Sequence, residues 1–159
     1  MKVTWNLDGM RNRFAKEYKN KAVEVQTNIL LDYAPKMLDK AYLGREFKND
    51  TWNLADSYVW VVYYKGEVKG SGYLWNEKVA TTDADFHKTK VNGRRLARNF
   101  ANTYSPSSDG WEVVWAATAP YASYLEGASS GRFYVITSIY DEVNADFEGN
   151  ARVSKVINY

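Results

Sequence analysis

Apolar residues near the start of the chain recur at steps of three and four, the spacing of one face of an α-helix. The members of this stripe are Met10, Phe14, Tyr18, Ala22, Val25 and Ile29. Asp8 precedes them as a candidate N-cap, and the intervening positions are largely charged or polar. The pattern predicts a long amphipathic helix over about residues 9–33 that packs against a sheet. Pro35 predicts a break or kink just before it, with one more helical turn before Gly44.

Runs of β-branched and aromatic residues predict the main strands. Residues 58–64, YVWVVYY, predict a strand covered on both faces, and residues 67–75 predict its hairpin partner, although two glycines weaken that pairing. In residues 111–115, Trp111, Val113 and Trp115 alternate with Glu112 and Val114, which predicts a strand with one buried face. Pro120 ends this strand because proline has no N–H to donate to a ladder.

The remaining segments predict a loop, two helices and a last strand. Polar residues 76–89 predict the loop, and residues 91–104 predict a helix. Apolar spacing over residues 133–147 predicts a C-terminal helix, with a strand as the rival for its first half, and about 151–157 predict a terminal strand. We therefore expect one domain over residues 1–159. Its predicted fold is α+β: a small antiparallel β-sheet packed by a long N-terminal amphipathic helix and a C-terminal helix.

The composition restricts which catalytic and ligand-binding sites the chain can form. The chain has no cysteine, so a disulfide, a thiolate zinc site and a cysteine nucleophile are excluded. Its single histidine, His87, cannot build a multi-histidine metal site, and no glycine-rich phosphate loop is present. We expect no enzymatic activity and no cofactor. The chain begins without the apolar core of a signal peptide and has no apolar run of about 20 residues, so we expect a soluble protein without membrane contact.

The segment after Pro120 has the composition of a contact surface. Thirteen tyrosines exceed what one small core hides, and tyrosine favours half-buried interfaces. The turn that follows the strand is expected to expose side chains to a neighbouring subunit, with Glu126 forming a salt bridge or backbone contact there. The candidate interface residues are Tyr121, Tyr124, Leu125 and Glu126.

Charge is unevenly distributed. Residues 1–48 carry ten Lys and Arg against six Asp and Glu, whereas residues 110–159 carry three against six. Opposite charge at opposite ends of a chain suits subunits that stack or form a ring, although each run also suits a solvated face. A basic segment is the candidate contact for DNA or an acidic partner, and its members are Lys88, Lys90, Arg94, Arg95 and Arg98.

Three segments in order resemble the tail-completion or head–tail joining (neck) proteins of tailed bacteriophages. They are a leading helix ending near Ala34-Pro35, residues 50–57 (DTWNLADS) running into a strand, and residues 119–127 (APYASYLEG) with Phe133 beyond the next loop. Residues 65–109 form a longer insertion than the usual hairpin of that family. The resemblance implies a small antiparallel sheet packed by helices and a virion structural protein without enzymatic activity.

The resemblance also implies partners and a location. Identical subunits would form a homo-oligomeric ring of six or twelve copies between the portal or connector and the tail, assembled in the host cytoplasm and located in the virion neck. The genome would pass through it, with transient contact to DNA. Two alternatives remain open at this point: a nonspecific DNA-binding module, and a carbohydrate-binding module that uses exposed tryptophans. The tryptophans concerned are Trp52, Trp60, Trp75, Trp111 and Trp115.

Overall fold

A computed structural model describes residues 7–44, 53–74, 84–86, 89–127, 135–147 and 151–157. It confirms the predicted α+β class, with a long N-terminal helix on a sheet and a second helix near the C-terminus. The elements in chain order are α1 Leu7–Leu43, α2 Asn53–Asp56, β1 Tyr58–Tyr64, β2 Glu67–Tyr73, β3 Ala84–Phe86, β4 Thr89–Val91, α3 Gly93–Thr103, β5 Trp111–Ala117, α4 Ala122–Gly127, α5 Ile136–Asp146 and β6 Arg152–Ile157.

The main sheet has the strand order β2-β1-β5-β6. β1 is antiparallel to both β2 and β5, as predicted for the sheet, but β6 pairs parallel to β5. The sheet is therefore mixed, which corrects the expectation of a wholly antiparallel one. The reason is the connection: the chain leaves β5, forms α4 and α5, and returns to the same end of the sheet before it enters β6.

Helices cover both faces of the two central strands. Leu30 of α1 and Ile139 of α5 share one core with Val113 and Trp115 of β5, whereas Phe100 of α3 lies in a second core with other residues of β1 and β5. The prediction that β1 is covered on both faces is confirmed. The prediction of one buried face for β5 is wrong, because β5 lies between two strands and between two helical layers.

α1 continues through Pro35, so the predicted break of the helix does not occur. Its buried side chains lie on both sides of the proline and are Leu30, Ala34, Met37 and Leu38. Each large apolar side chain that is fully buried contributes roughly 1.5–3 kcal/mol, and a proline inside a helix costs about 3 kcal/mol. Burial before and after Pro35 therefore outweighs the one hydrogen bond that its missing N–H removes.

The predicted amphipathic stripe of α1 does not face the sheet. Phe14, Tyr18, Val25 and Ile29 are exposed, and every residue from Arg11 to Ala22 is exposed as well. The core uses the C-terminal half of the helix and a different face of it. The prediction that this stripe packs on the sheet is therefore wrong.

Gly70 lets α1 approach the edge of the sheet. A Cβ atom at this position would overlap the Leu31 side chain of α1. The hairpin partner of β1 is confirmed over Glu67–Tyr73, with a register shift between Val62 and Tyr63. The glycine that weakens the isolated strand thus makes room for the helix that covers it.

The helices α3 and α5 and the strand β6 confirm the corresponding predictions. Part of the predicted loop over residues 76–89 is instead a short hairpin, because β3 pairs antiparallel with β4. His87 lies outside the described residues. None of the described helices is long and apolar enough to span a membrane.

Candidate functional site

The turn after β5 is anchored in the core and leads into a short helix. Ala119 and Ala122 are fully buried, and the Ala122 N–H donates to the Ala119 carbonyl over 2.9 Å. The small side chains let this turn lie close to the sheet, and Pro120 between them cannot continue the ladder. α4 then presents the predicted interface residues from a fixed base. We call Tyr121, Tyr124, Leu125 and Glu126 the tyrosine corner.

The tyrosine corner divides into exposed and buried members. Tyr124 is 77% exposed, the expected position for an interface side chain. Tyr121 and Leu125 are half-buried and pack against the main core. Burial raises the pKa of the Tyr121 hydroxyl. The corner therefore offers one projecting aromatic ring supported by two partly covered apolar neighbours.

Glu126 lies inside its own chain, which corrects the prediction that it is exposed for contact with another subunit. Its side chain is buried, with 4% of the residue exposed. Oε1 accepts the backbone N–H groups of Val135 at 3.1 Å and Ile136 at 3.0 Å, and Oε2 accepts that of Thr137 at 3.2 Å. The Tyr58 hydroxyl donates to Oε1 over 3.4 Å. The carboxylate thus accepts the backbone N–H groups at the start of α5.

This arrangement has a clear electrostatic cause. The first N–H groups of an α-helix have no partner within the helix, and the helix dipole favours negative charge there. Val135, the N-cap residue of α5, makes no side-chain capping bond. Glu126 supplies the cap from α4 instead. It therefore joins α4, which also carries the exposed Tyr124, to α5.

One member of the predicted basic segment, Arg94, forms an ion pair within the chain. Arg94 Nε lies 2.8 Å from Oδ2 of Asp56, whose side chain is 1% exposed. Arg95 and Arg98 lie exposed on α3, and Lys90 lies in β4. Lys88 falls outside the described residues. Arg94, predicted to contact DNA or an acidic partner, instead neutralises a buried carboxylate of its own chain.

Sequence reasoning missed the function of α2. The Gly93 N–H donates to Asn53 Oδ1 over 2.8 Å, so this amide and the Asp56–Arg94 ion pair together fix the start of α3. Ser57 adds a bond from its hydroxyl to the Leu54 carbonyl at 2.7 Å. A cluster of small polar residues directly before a buried strand was the available signal, since buried polar groups require partners.

A third buried carboxylate, Glu112, lies in β5. Glu112 accepts the Tyr104 hydroxyl at 2.8 Å, the Ser107 N–H at 2.6 Å and the Ser154 hydroxyl at 2.6 Å. Burial and the bond to Glu112 raise the pKa of Tyr104. The carboxylate joins α3, the turn before β5, and β6. It has the geometry of a structural junction.

The described tryptophans pack within the protein. Trp115 is buried and its indole N–H donates to the Ala34 carbonyl over 3.0 Å. Trp111 stacks on Tyr64 with ring centroids 4.5 Å apart, and Trp60 is packed against the main core. Trp52 and Trp75 lie outside the described residues. The rings of Trp60, Trp111 and Trp115 therefore contribute to the packing of the sheet.

Among the described residues, no group of three His, Cys, Asp or Glu side chains is placed to hold a metal ion. Comparison with protein-family models finds no match, and neither curated proteins nor solved structures yield a significant match.

Proposed function

We propose that this chain is a structural protein of a tailed-bacteriophage virion. In this proposal its copies form a ring in the neck that joins the capsid portal to the tail. The proposal rests on the geometry of the tyrosine corner and on the resemblance of three segments to neck proteins: the helix ending near Ala34-Pro35, residues 50–57, and residues 119–127 with Phe133. The observation that carries it is the 77% exposure of Tyr124 on a helix that Glu126 holds in place.

The corner has the physical properties of an interaction anchor. Large aromatic side chains at a rigid position bury much apolar area at little cost in conformational entropy, which is why tyrosine is enriched at binding hot spots. α4 has no long flexible side chain at its exposed apex, and the buried Glu126 cap restrains its position relative to α5. Covering of Tyr124 by a neighbouring copy would therefore cost little conformational entropy at the corner.

The sheet offers a second route to assembly. β2 and β6 are the outer strands of the described sheet, and both are partly exposed along their length. Backbone groups on the outer side of such strands favour pairing with another chain, and a closed ring removes free edges by symmetry. The basic N-terminal part and the acidic C-terminal part of the chain supply complementary potentials for a head-to-tail contact.

The mass of the purified protein tests the proposal. Light scattering and native mass spectrometry should give six or twelve copies, and negative-stain images should show a ring with a central channel. Tyr124→Asp should reduce the ring to smaller species while its thermal unfolding stays unchanged, because the side chain is exposed in the single chain. Tyr121 and Leu125 are left intact in this variant since both contribute to the core.

Asn20→Asp is the control, because it introduces the same charge at an exposed position of α1, far along the chain from the corner. It should leave the ring intact. If the ring persists in Tyr124→Asp, the corner is not part of the interface. A protein that stays monomeric at every concentration would overturn the proposed role.

A further inference from the structure

The N-terminal half of α1 carries an apolar face that the domain does not cover. We call Leu7, Arg11, Phe14, Tyr18, Ala22, Val25 and Ile29 the outer stripe. Phe14 is 69% exposed and Tyr18 is 81% exposed. At about 100° per residue, Tyr18 and the buried Ala34 point about 160° apart around the helix axis. The outer stripe therefore faces away from the sheet.

The outer stripe is unusually regular. Leu7, Tyr18 and Ile29 are eleven residues apart, and so are Phe14 and Val25. An eleven-residue repeat has about 3.67 residues per turn, close to the 3.6 of a straight helix, so the stripe runs almost parallel to the axis for about 33 Å. A face of this kind suits another straight helix.

The spacing is also symmetric about Tyr18. From Leu7 to Ile29 the steps are four, three, four, four, three and four residues, and the same series is obtained from either end. We propose that the outer stripe binds the outer stripe of a second copy in an antiparallel, two-fold symmetric helix pair centred on Tyr18. An isologous contact needs a surface that is complementary to itself, and this symmetry provides it.

The resulting layers combine side chains of compatible size. Each Phe14 ring meets Ala22 of the other copy, and each Leu7 meets Ile29. Arg11 lies beside Val25, where its aliphatic stem can pack and its guanidinium can reach water. Large against small at facing positions is the condition for close helix packing.

Charge on one flank supports the same register. With Tyr18 on the axis, Glu17 of each copy lies beside Lys21 of the other, which gives two opposite-charge contacts across the pair. In the single chain Lys21 Nζ is 2.9 Å from Glu24, and both side chains are well exposed. Exposed pairs of this type contribute little, so Lys21 can turn to Glu17 at small cost. A parallel pairing would instead place Phe14 against Phe14.

The exposed run from Arg11 to Ala22 supports a partner on independent grounds. No residue from Arg11 to Ala22 is buried in the single chain, although most helical stability in proteins comes from packing of an apolar face. The occupant suggested by the palindromic spacing is a second copy. This contact uses none of the residues of the tyrosine corner, so it stands or falls separately from the proposed function. Since a two-fold pair is symmetric and a neck ring is polar, this contact is separate from the ring contacts and would join two single copies or two rings.

Disulfide cross-linking tests the register, and the chain suits it because it contains no cysteine. Tyr18→Cys should oxidise readily to a covalent dimer, because the two positions meet on the axis. Asn20→Cys, exposed on the opposite side of the same helix, is the matched control and should cross-link about tenfold more slowly or less. A mixture of Phe14→Cys and Ala22→Cys should give the mixed covalent dimer, while each variant alone should form little covalent dimer.

Sedimentation of the unmodified chain supplies the second measurement. Wild type should show a concentration-dependent dimer contact that Tyr18→Asp weakens by about tenfold or more, since two carboxylates would then face each other on the axis. Tyr124→Asp should leave this contact unchanged. Rapid cross-linking of Phe14→Cys with itself would show a parallel pair and overturn the proposal. Equal cross-linking at positions 18 and 20, or no effect of Tyr18→Asp on association, would overturn it as well.

Discussion

Glu126 accepts the backbone N–H of Ile136 over 3.0 Å and thereby caps a helix to which it does not belong. The same carboxylate also binds the N–H groups of the residues on either side. A residue of the short helix α4 thus caps the start of the next helix, α5. This contact explains why a residue predicted to meet another subunit is buried.

Replacing Glu126 measures the strength of this cap. Glu126→Ala leaves three backbone N–H groups at the start of α5 without their acceptor and should lower the free energy of unfolding by about 1–3 kcal/mol. Glu126→Gln keeps one oxygen as acceptor and should cost less. Urea unfolding at neutral pH compares them. Equal stability of Glu126→Ala and wild type would show that the cap contributes nothing.

Arg94 should contribute to stability, unlike the arginine beside it. Arg94→Ala removes the partner of Asp56 and should cost about 2–3 kcal/mol, below the range for a fully buried pair because the Arg94 side chain keeps 24% of its surface exposed. Arg95→Ala is the control on the same helix, and its exposed side chain should matter by less than about 0.5 kcal/mol. Chemical denaturation distinguishes the two; similar losses for both would contradict the assignment.

Gly93→Ala should lower the stability of the protein, whereas glycine-to-alanine changes in helices usually raise it. Alanine normally stabilises an exposed helical position relative to glycine by about 1 kcal/mol. At Gly93 an added Cβ would overlap the carbonyl group of Asn53, so Gly93→Ala should destabilise the protein by about 1–3 kcal/mol. Gly44→Ala is the control, since its Cβ would meet the Ala41 carbonyl oxygen at an ordinary 3.6 Å. Thermal unfolding should separate the two variants, and a stabilising Gly93→Ala would contradict the packing described.

Tyr63 should make stability depend on alkaline pH. Burial, followed by the nearby Tyr104 and Glu112, raises the pKa of Tyr63 to about 12, whereas a tyrosine in the unfolded chain titrates near 10. The folded state retains the proton longer, so this stabilisation is complete below about pH 10 and is lost as the pH rises toward 12. Over that window the free energy of unfolding should fall by up to about 1.4 kcal/mol per pH unit.

Tyr63→Phe is the variant that isolates this effect. The hydroxyl is buried and has no hydrogen-bond partner among the described residues, so its removal should cost little at pH 8. Between pH 10 and 12 the variant should lose stability less steeply than wild type. Urea unfolding across this range provides the measurement, and parallel curves for the two proteins would contradict the assigned titration.

The sequence predicted an element correctly where apolar residues follow a local pattern along the chain. The aromatic and β-branched run of β1 indicated a strand covered on both faces, and the spacing around Phe100 indicated α3. The four residues of α2 were missed because their role lies in bonds to Gly93 and Arg94, which are about 40 positions away. Glu126 was misplaced for the same reason, since its partners lie 9 to 11 positions further along the chain.

The amino-acid sequence by itself determined the α+β class, the order of the main helices and strands, and the apolar stripe on α1. Tertiary structure decided that this stripe faces outward, that Glu126 is buried as a cap, and that β6 enters the sheet parallel to β5. The physical reason is that periodicity shows which side chains share a face of an element. The group that covers this face is set by contacts between residues distant in the chain, as Trp115 shows when its indole N–H binds the Ala34 carbonyl.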